Sequence, residues 1–323
     1  MKRRAFIAAL GGAAAWPLAA RAQQEKPVIG FLRNASADIS VELVAALRAG
    51  LKEAGYVEGQ NIAIEYRWPQ RRDEVPGMAA DLVRRPCAVI VAGGNAAIGA
   101  AKVATATIPI VFASGDDPIG AGFVTSLSRP GGNITGASFY SSLVLAKQLE
   151  FLRELLPNAT VIGLLVNPSD PPAASWIREA QSAAGPLGQQ LHLVNASSRE
   201  EIEAAFATLA QLRAHALLVV GSALFTDQRQ RVGVLAVRYG LPAVTPLREF
   251  VAAGGLMSYG ASITDTYWEA GVYAGRILEG EKPADLPVVR PKRFELIINV
   301  AIAKALGLDM PLHLRQRADE VIE

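Results

Sequence analysis

The sequence predicts an α/β chain folded as two doubly wound lobes, each a parallel sheet with helices on both faces. Three observations carry that prediction. Apolar strand-like runs alternate with helical stretches, and one heptad recurs about 130 residues downstream with its following elements in the same order. The chain's 323 residues also exceed what one hydrophobic core usually serves.

The recurring heptad is Val28-Ile29-Gly30-Phe31-Leu32-Arg33-Asn34, which returns as Val161-Ile162-Gly163-Leu164-Leu165-Val166-Asn167. Both copies are apolar runs that stop at Asn, the pattern of a strand buried on both faces. After the first copy come a helix over 41–54, a strand over 61–66 and a helix over 73–85. A strand over 88–92, a helix over 95–104 and a strand over 108–113 follow. After the second copy come a helix over 173–184, a strand over 190–195 and a helix over 199–212. A strand over 216–221, a helix over 226–239 and a strand over 243–246 complete it. Right-handed crossovers join such units into parallel sheets.

Punctuation marks the boundaries. Gly55 and Gly240 stand where helices end, as C-cap glycines do. Pro109 and Pro242 enter strands where a missing N–H matters little. Ser198 with Glu201 three residues later is a capping box. Residues 128–133, Ser-Arg-Pro-Gly-Gly-Asn, form a turn before a short strand over 134–137. Beyond the second copy lie a helix over 265–279, a strand over 294–299 and a helix over 300–306, with Pro283, Pro287 and Pro291 between them. A tail that belongs to neither copy is expected to supply elements to each lobe. The expected division is therefore 26–157 plus about 262–285 in lobe one, and 158–261 plus about 286–323 in lobe two. A hinge of several crossovers joins them.

The N-terminus predicts export. Lys2, Arg3 and Arg4 precede a weakly hydrophobic run over 5–16, and Ala20-Arg21-Ala22 presents small-x-small cleavage chemistry before Gln23. The run is shorter than the roughly 20 apolar residues that span a bilayer. Arg3-Arg4-Ala5-Phe6-Ile7 resembles a twin-arginine signal. The expected location is periplasmic, with residues 1–22 removed. The whole chain carries 32 Lys and Arg against 30 Asp and Glu; the signal takes away Lys2, Arg3, Arg4 and Arg21, which leaves 28 against 30. The excess of basic charge belongs to the signal, so no electrostatic footprint for nucleic acid remains. The basic-aromatic run over 67–72 reads as a solvated loop. Cys87 is the single cysteine, which excludes an internal disulfide.

Ligands of open parallel sheets bind beyond the carboxyl ends of the strands. In lobe one that rule nominates Ser36, then Gly94 and Asn95, then Asp116 and Asp117. In lobe two it nominates Asn167, then Ser222 and Phe225, then Arg248, with Tyr259 ending a further strand. Gly93-Gly94-Asn95 opens a helix, whose free N–H groups and dipole suit a carboxylate, although Asn95 equally suits a helix cap. Asp116 reads as turn chemistry, and Asp117 as either a turn residue or a receptor for an ammonium group. Phe225 and Tyr259 offer apolar faces to a ring or aliphatic body, or pack in the core. Arg248 suits a ligand carboxylate, or an ion pair with an acidic neighbour.

Catalytic chemistry finds no support. His192, His215 and His313 lack metal-ligand spacing, and the chain has no Gly-x-Ser-x-Gly elbow, P-loop or completed dinucleotide fingerprint. The expectation is a binding protein rather than an enzyme, with no cofactor, no metal and no nucleic-acid partner. A DNA-binding head would need the space before Val28 that the export signal fills.

Several motifs together resemble one family. They include the leader Ala-Trp-Pro-Leu-Ala-Ala-Arg-Ala-Gln-Gln over 15–24, Asp-Asp-Pro-Ile-Gly-Ala-Gly over 116–122 and Ser-Arg-Pro-Gly-Gly-Asn-Ile-Thr-Gly over 128–136. Arg248-Glu249-Phe250, the run Gly-Gly-Leu-Met-Ser-Tyr-Gly over 254–260, and Arg-Ala-Asp-Glu-Val-Ile over 317–322 complete the set. The chain resembles the ABC transporter substrate-binding proteins along nearly its whole length. The resemblance implies the type I periplasmic-binding fold, with Rossmann-like lobes joined by three crossovers and closing over a ligand. It implies a monomer that takes a small-molecule ligand, an amino acid or an aromatic or aliphatic carboxylate, to ABC permease transmembrane subunits driven by a separate cytoplasmic ATPase. A periplasmic partner of a membrane sensor is the alternative. Some relatives bind tryptophan or tyrosine, and carrying their sites across loop by loop reaches Ser36, Asn95, Asp117, Asn167 and Ser222. The 245–249 loop, Thr-Pro-Leu-Arg-Glu, departs from the glycine-rich loop of tryptophan binders.

Overall fold

A computed structural model describes residues 26–139 and 144–323. The expected export signal over 1–22 lies outside the described residues.

The first sheet is built from β1 (Val28–Arg33), α1 (Val41–Glu53), β2 (Ala63–Arg67), α2 (Val75–Arg84), β3 (Cys87–Gly93), α3 (Asn95–Ala104), β4 (Ile110–Ser114) and β5 (Ile134–Ser138). Its strand order is β2-β1-β3-β4-β5, and every pairing is parallel. Successive side chains of a strand point to opposite faces, so these continuous apolar runs feed two cores at once. Ile29, Phe31, Val89, Val91 and Val111 pack on one face. Leu32, Ile90, Ala92, Ile110 and Phe112 pack on the other.

The second sheet draws on α4 (Leu145–Leu155), β6 (Val161–Val166), α5 (Ala173–Ala184), β7 (Gln190–Asn195), α6 (Arg199–Gln211) and β8 (Ala216–Val219). It continues through α7 (Ala223–Asp227), α8 (Arg229–Arg238), β9 (Ala243–Thr245), α9 (Arg248–Ala252) and β10 (Met257–Gly260). The chain then forms α10 (Ile263–Leu278), β11 (Glu295–Asn299), α11 (Val300–Ala305), α12 (Leu312–Arg317) and β12 (Glu320–Ile322). The order is β12-β11-β10-β9-β8-β6-β7, with β10 and β11 antiparallel and the other pairs parallel. The fold is thus two α/β sheets, the first wholly parallel and the second parallel except at β10–β11.

Local chemistry sets the element ends. The Ser198 hydroxyl accepts the Glu201 N–H at 3.2 Å, and the Glu201 carboxylate reaches one residue past the cap to accept the Ser197 N–H at 2.6 Å, so both ends of the Ser198–Glu201 pair hold the start of α6. Gly55 and Gly240 take φ of 82° and 63° after α1 and α8, where a side chain would be strained. The stretch read as one helix over 226–239 divides at Gln228 into α7 and α8. Within the run over 67–72, Arg67 pairs with Asp81 and Glu65, Trp68 stacks on Tyr66, and Arg71 pairs with Asp73.

Two boundaries differ from the sequence expectation. Helix α4 packs on the second sheet rather than the first: Leu149, Phe151, Leu152 and Leu155 are buried in that core, and Gln148 donates to the Tyr259 carbonyl at 2.8 Å. The first crossover therefore falls between Phe139 and Leu145, not at 157. At the other end, residues 286–289 stay with the first sheet. Val289 exchanges hydrogen bonds with Gly136 and Ser138, at 2.9 and 3.0 Å, and Leu286 and Val288 are buried in its cores.

Helix α10 returns from the second sheet and lies along α1, where its approach depends on glycine. A Cβ at Gly50 would collide with the Trp268 carbonyl, and one at Gly271 with the Leu47 carbonyl. Three segments thus connect the two sheets: 139–145, 260–263 and 289–295. Among the described residues, no helix is long and apolar enough to cross a membrane.

Candidate functional site

Between the lobes lies a cleft of about 810 Å³, partly open to solvent. It forms where the carboxyl ends of β1 and β3 meet those of β6 and β8. These are the points at which the strand order of each sheet reverses, and such switch points leave a crevice that no crossover covers.

From lobe one, β3 ends at Gly93 and the chain turns at Gly94 with φ of 83° into α3. Residues 94–96 line the cleft. The first amides of a helix have no partner within it and carry the positive end of its dipole, so this turn suits an anion. Asn95 does not cap the helix. Its Oδ1 accepts the Ser114 hydroxyl at 3.1 Å, which ties the start of α3 to the end of β4.

Asp116 is the most perturbed group of the cleft. Its N–H donates to Ser114 Oγ at 3.1 Å, and its carbonyl accepts from Ser138 Oγ at 2.8 Å. The backbone is pinned twice, and the residue is 5 % exposed. Its carboxylate lines the cleft and takes no hydrogen bond from the described residues. Burial pushes its pKa up to about 7, helped by the negative charges of Asp170, Asp117 and Glu179. Asp170 lines the same cleft from lobe two.

Arg33 also reaches the cleft, with two of its five N–H donors committed. Nε donates to the Tyr267 hydroxyl at 3.0 Å and Nη1 to Ser40 Oγ at 2.5 Å. Phe139 and Tyr267 supply aromatic walls from the lobe-one side and Trp176 from lobe two. An ammonium ion is complementary to the carboxylates, a carboxylate to the turn at 94–96, and a ring to the aromatic walls.

Of the residues expected from sequence, the structure brings Gly94, Asn95 and Ser222 to the cleft. Ser222 Oγ is buried there without a hydrogen-bond partner. Ser36 and Asn167 line an adjoining groove, which shares Asn34 and Asp170 with the cleft. Four expected residues lie elsewhere. Asp117 is exposed, and its carboxylate accepts the Ile119 and Gly120 amides, both at 3.1 Å, which makes it the turn residue. Phe225 is buried in the second core. Arg248 points outward to Glu320 at 2.8 Å and Glu295 at 3.8 Å. Tyr259 packs against Phe151 and Phe294, with ring centroids 5.1 and 6.0 Å away. Strands β9 and β10 stand outside the switch point between β8 and β6, so the residues at their ends serve the sheet's flank.

Sequence reasoning missed Asp170, Arg33, Phe139, Trp176 and Tyr267, and read Asp116 as a turn. The strand-end rule reached the loops that hold Asp116 and Asp170. Nothing local marks Tyr267, which sits on a helix 234 positions from Arg33, its hydrogen-bond partner. Among the described residues, no group of three or more His, Cys, Asp or Glu side chains is arranged to hold a metal ion.

The fold and cleft define a two-lobed binding protein of the type I periplasmic-binding class, and comparison with known proteins agrees. The family described as ABC transporter substrate binding protein matches residues 28–322. The chain belongs to that family. It is 29 % identical over 261 residues to a tyrosine-binding protein of Clostridioides difficile, which covers 80 % of this chain and 74 % of the relative. A crystal structure of an ABC domain from Streptococcus pneumonia in complex with L-Trp superposes with a TM-score of 0.85. It is 26 % identical and covers 92 % of this chain and 100 % of that one. A conserved domain protein from Vibrio cholerae gives a TM-score of 0.86 at 27 % identity, with coverage of 92 % and 100 %.

Proposed function

We propose that this chain is the extracytoplasmic solute-binding component of an ABC importer and that its ligand is an aromatic amino acid. The observation that carries the reading is the cleft's division of chemistry. Carboxylates from both lobes suit an ammonium group, the amides of Asn95 and Ala96 at the start of α3 suit a carboxylate, and Phe139 and Trp176 suit a ring. The tyrosine-binding relative and the L-Trp complex support the same ligand class.

A ligand held by Asp116 and Asp170 at once interacts more strongly when the lobes are together, so it shifts the population toward the closed form. The closed form presents a surface to permease subunits in the membrane, and a separate cytoplasmic ATPase supplies the energy of transport. The protein acts as a monomer after export and removal of residues 1–22. A thermal-shift screen of residues 23–323 against the amino acids tests the ligand class. A true ligand at a hundredfold excess over its dissociation constant stabilises by about 2.7 kcal/mol. Tyrosine or tryptophan is expected to raise the melting temperature; if only sugars or dicarboxylates did so, the reading would fail.

A further inference from the structure

The charges of the cleft are unequal in a way that an amino acid does not demand. Asp116 and Asp170 line it from opposite lobes, and Glu179 stands close enough to act on Asp116. Arg33 is the basic side chain among the described lining residues, and two of its donors are committed to Tyr267 and Ser40. Asp116 is 5 % exposed, lines the cavity and has a carboxylate without a hydrogen bond from the described residues. A ligand's ammonium thus meets carboxylates on both lobes. Its carboxylate meets backbone amides at the start of α3 and the remaining Nη donors of Arg33, under the repulsion of the more numerous acids.

We infer that the cleft also takes aromatic primary amines lacking a carboxylate, and that the ammonium is the group binding requires. This inference rests on the proposed amino-acid reading and extends its ligand class. A carboxylate at a helix N-terminus gains less than about tenfold in affinity, and here the acids of both lobes offset the pull of Arg33 on it. Removing the ammonium leaves Asp116 buried without a counter-charge, a loss of well over tenfold. The ring contacts are unchanged in either case.

The test is calorimetric titration of residues 23–323 at pH 8 with three probes per ring. For the phenol these are L-tyrosine, tyramine and 3-(4-hydroxyphenyl)propionate; for the indole they are L-tryptophan, tryptamine and indole-3-propionate. The expected result is that the amines bind within about tenfold of their amino acids, while the acids bind at least a hundredfold more weakly. Amines that fail where amino acids bind would overturn the inference and leave the amino-acid reading standing. Amines that bind where amino acids fail would support the inference and remove amino acids as the ligand. Failure of all six would overturn both. Within the supporting outcome, Asp116→Asn should weaken tyramine and tryptamine at least tenfold; an unchanged affinity would count against Asp116 as the receptor.

Discussion

Replacing Asp116 by Asn removes a charge while keeping nearly the same shape. In the ligand-free chain the carboxyl is held at about 7 against an ordinary 3.8. At about 1.4 kcal/mol per tenfold, that displacement corresponds to about 4 kcal/mol favouring the protonated form in the folded state. A raised carboxyl binds its proton more tightly folded than unfolded. Its stabilising contribution is therefore fully present below about pH 4 and is lost as pH rises through about 7. Asparagine has nothing to titrate. In urea denaturation without ligand, D116N should match the native chain near pH 4 and exceed it by up to about 4 kcal/mol at pH 8. With an amino-acid ligand at a hundredfold excess over its dissociation constant at pH 8, the gap should narrow by about 2.7 kcal/mol, because only the native chain gains the ammonium contact. A D116N protein no more stable than native at pH 8, or one that keeps native ligand affinity, would refute the role given to Asp116.

Three further substitutions separate structure from site. Gly271→Ala places a methyl against the Leu47 carbonyl and should cost about 1–3 kcal/mol by forcing α10 from α1, read as a lower urea midpoint. Arg248→Ala removes an exposed pair with Glu320 and should change stability by less than about 1 kcal/mol, with ligand affinity unaltered by calorimetry. Tyr259→Ala should destabilise by about 2 kcal/mol through lost packing on Phe151 and Phe294, again without changing affinity; a weakened affinity in the folded variant would return Tyr259 to the site.

Much of the fold is legible because a repeated strand pattern is a property of the chain itself. Helix α3 begins at Asn95 and α5 spans 173–184 as the apolar spacing and the glycine turn predict. Helix α4 shows why lobe membership is harder. Its apolar stripe announces a buried face but does not say which sheet buries it, and Gln148 finds its partner 111 positions away. Asp116 and Asp117 are neighbours of one residue type. What separates them is partners: Ser138, 22 positions downstream, pins the Asp116 carbonyl, whereas the Asp117 carboxylate accepts the Ile119 and Gly120 amides. The strand-end rule found the correct loops at the switch points and overreached at β9 and β10, because it does not say which strands a larger sheet places at its flank.

The most direct measurement is calorimetric titration of residues 23–323 with L-tyrosine and L-tryptophan at pH 7, in two buffers of different ionisation heat. An ammonium group seated against Asp116 converts a half-protonated carboxyl to the charged form. Binding should therefore be one to one and release about half a proton at pH 7, falling to about a tenth or less at pH 8. Binding with no proton release would place the ammonium elsewhere, and no binding of either amino acid would contradict the cleft as an aromatic amino-acid site.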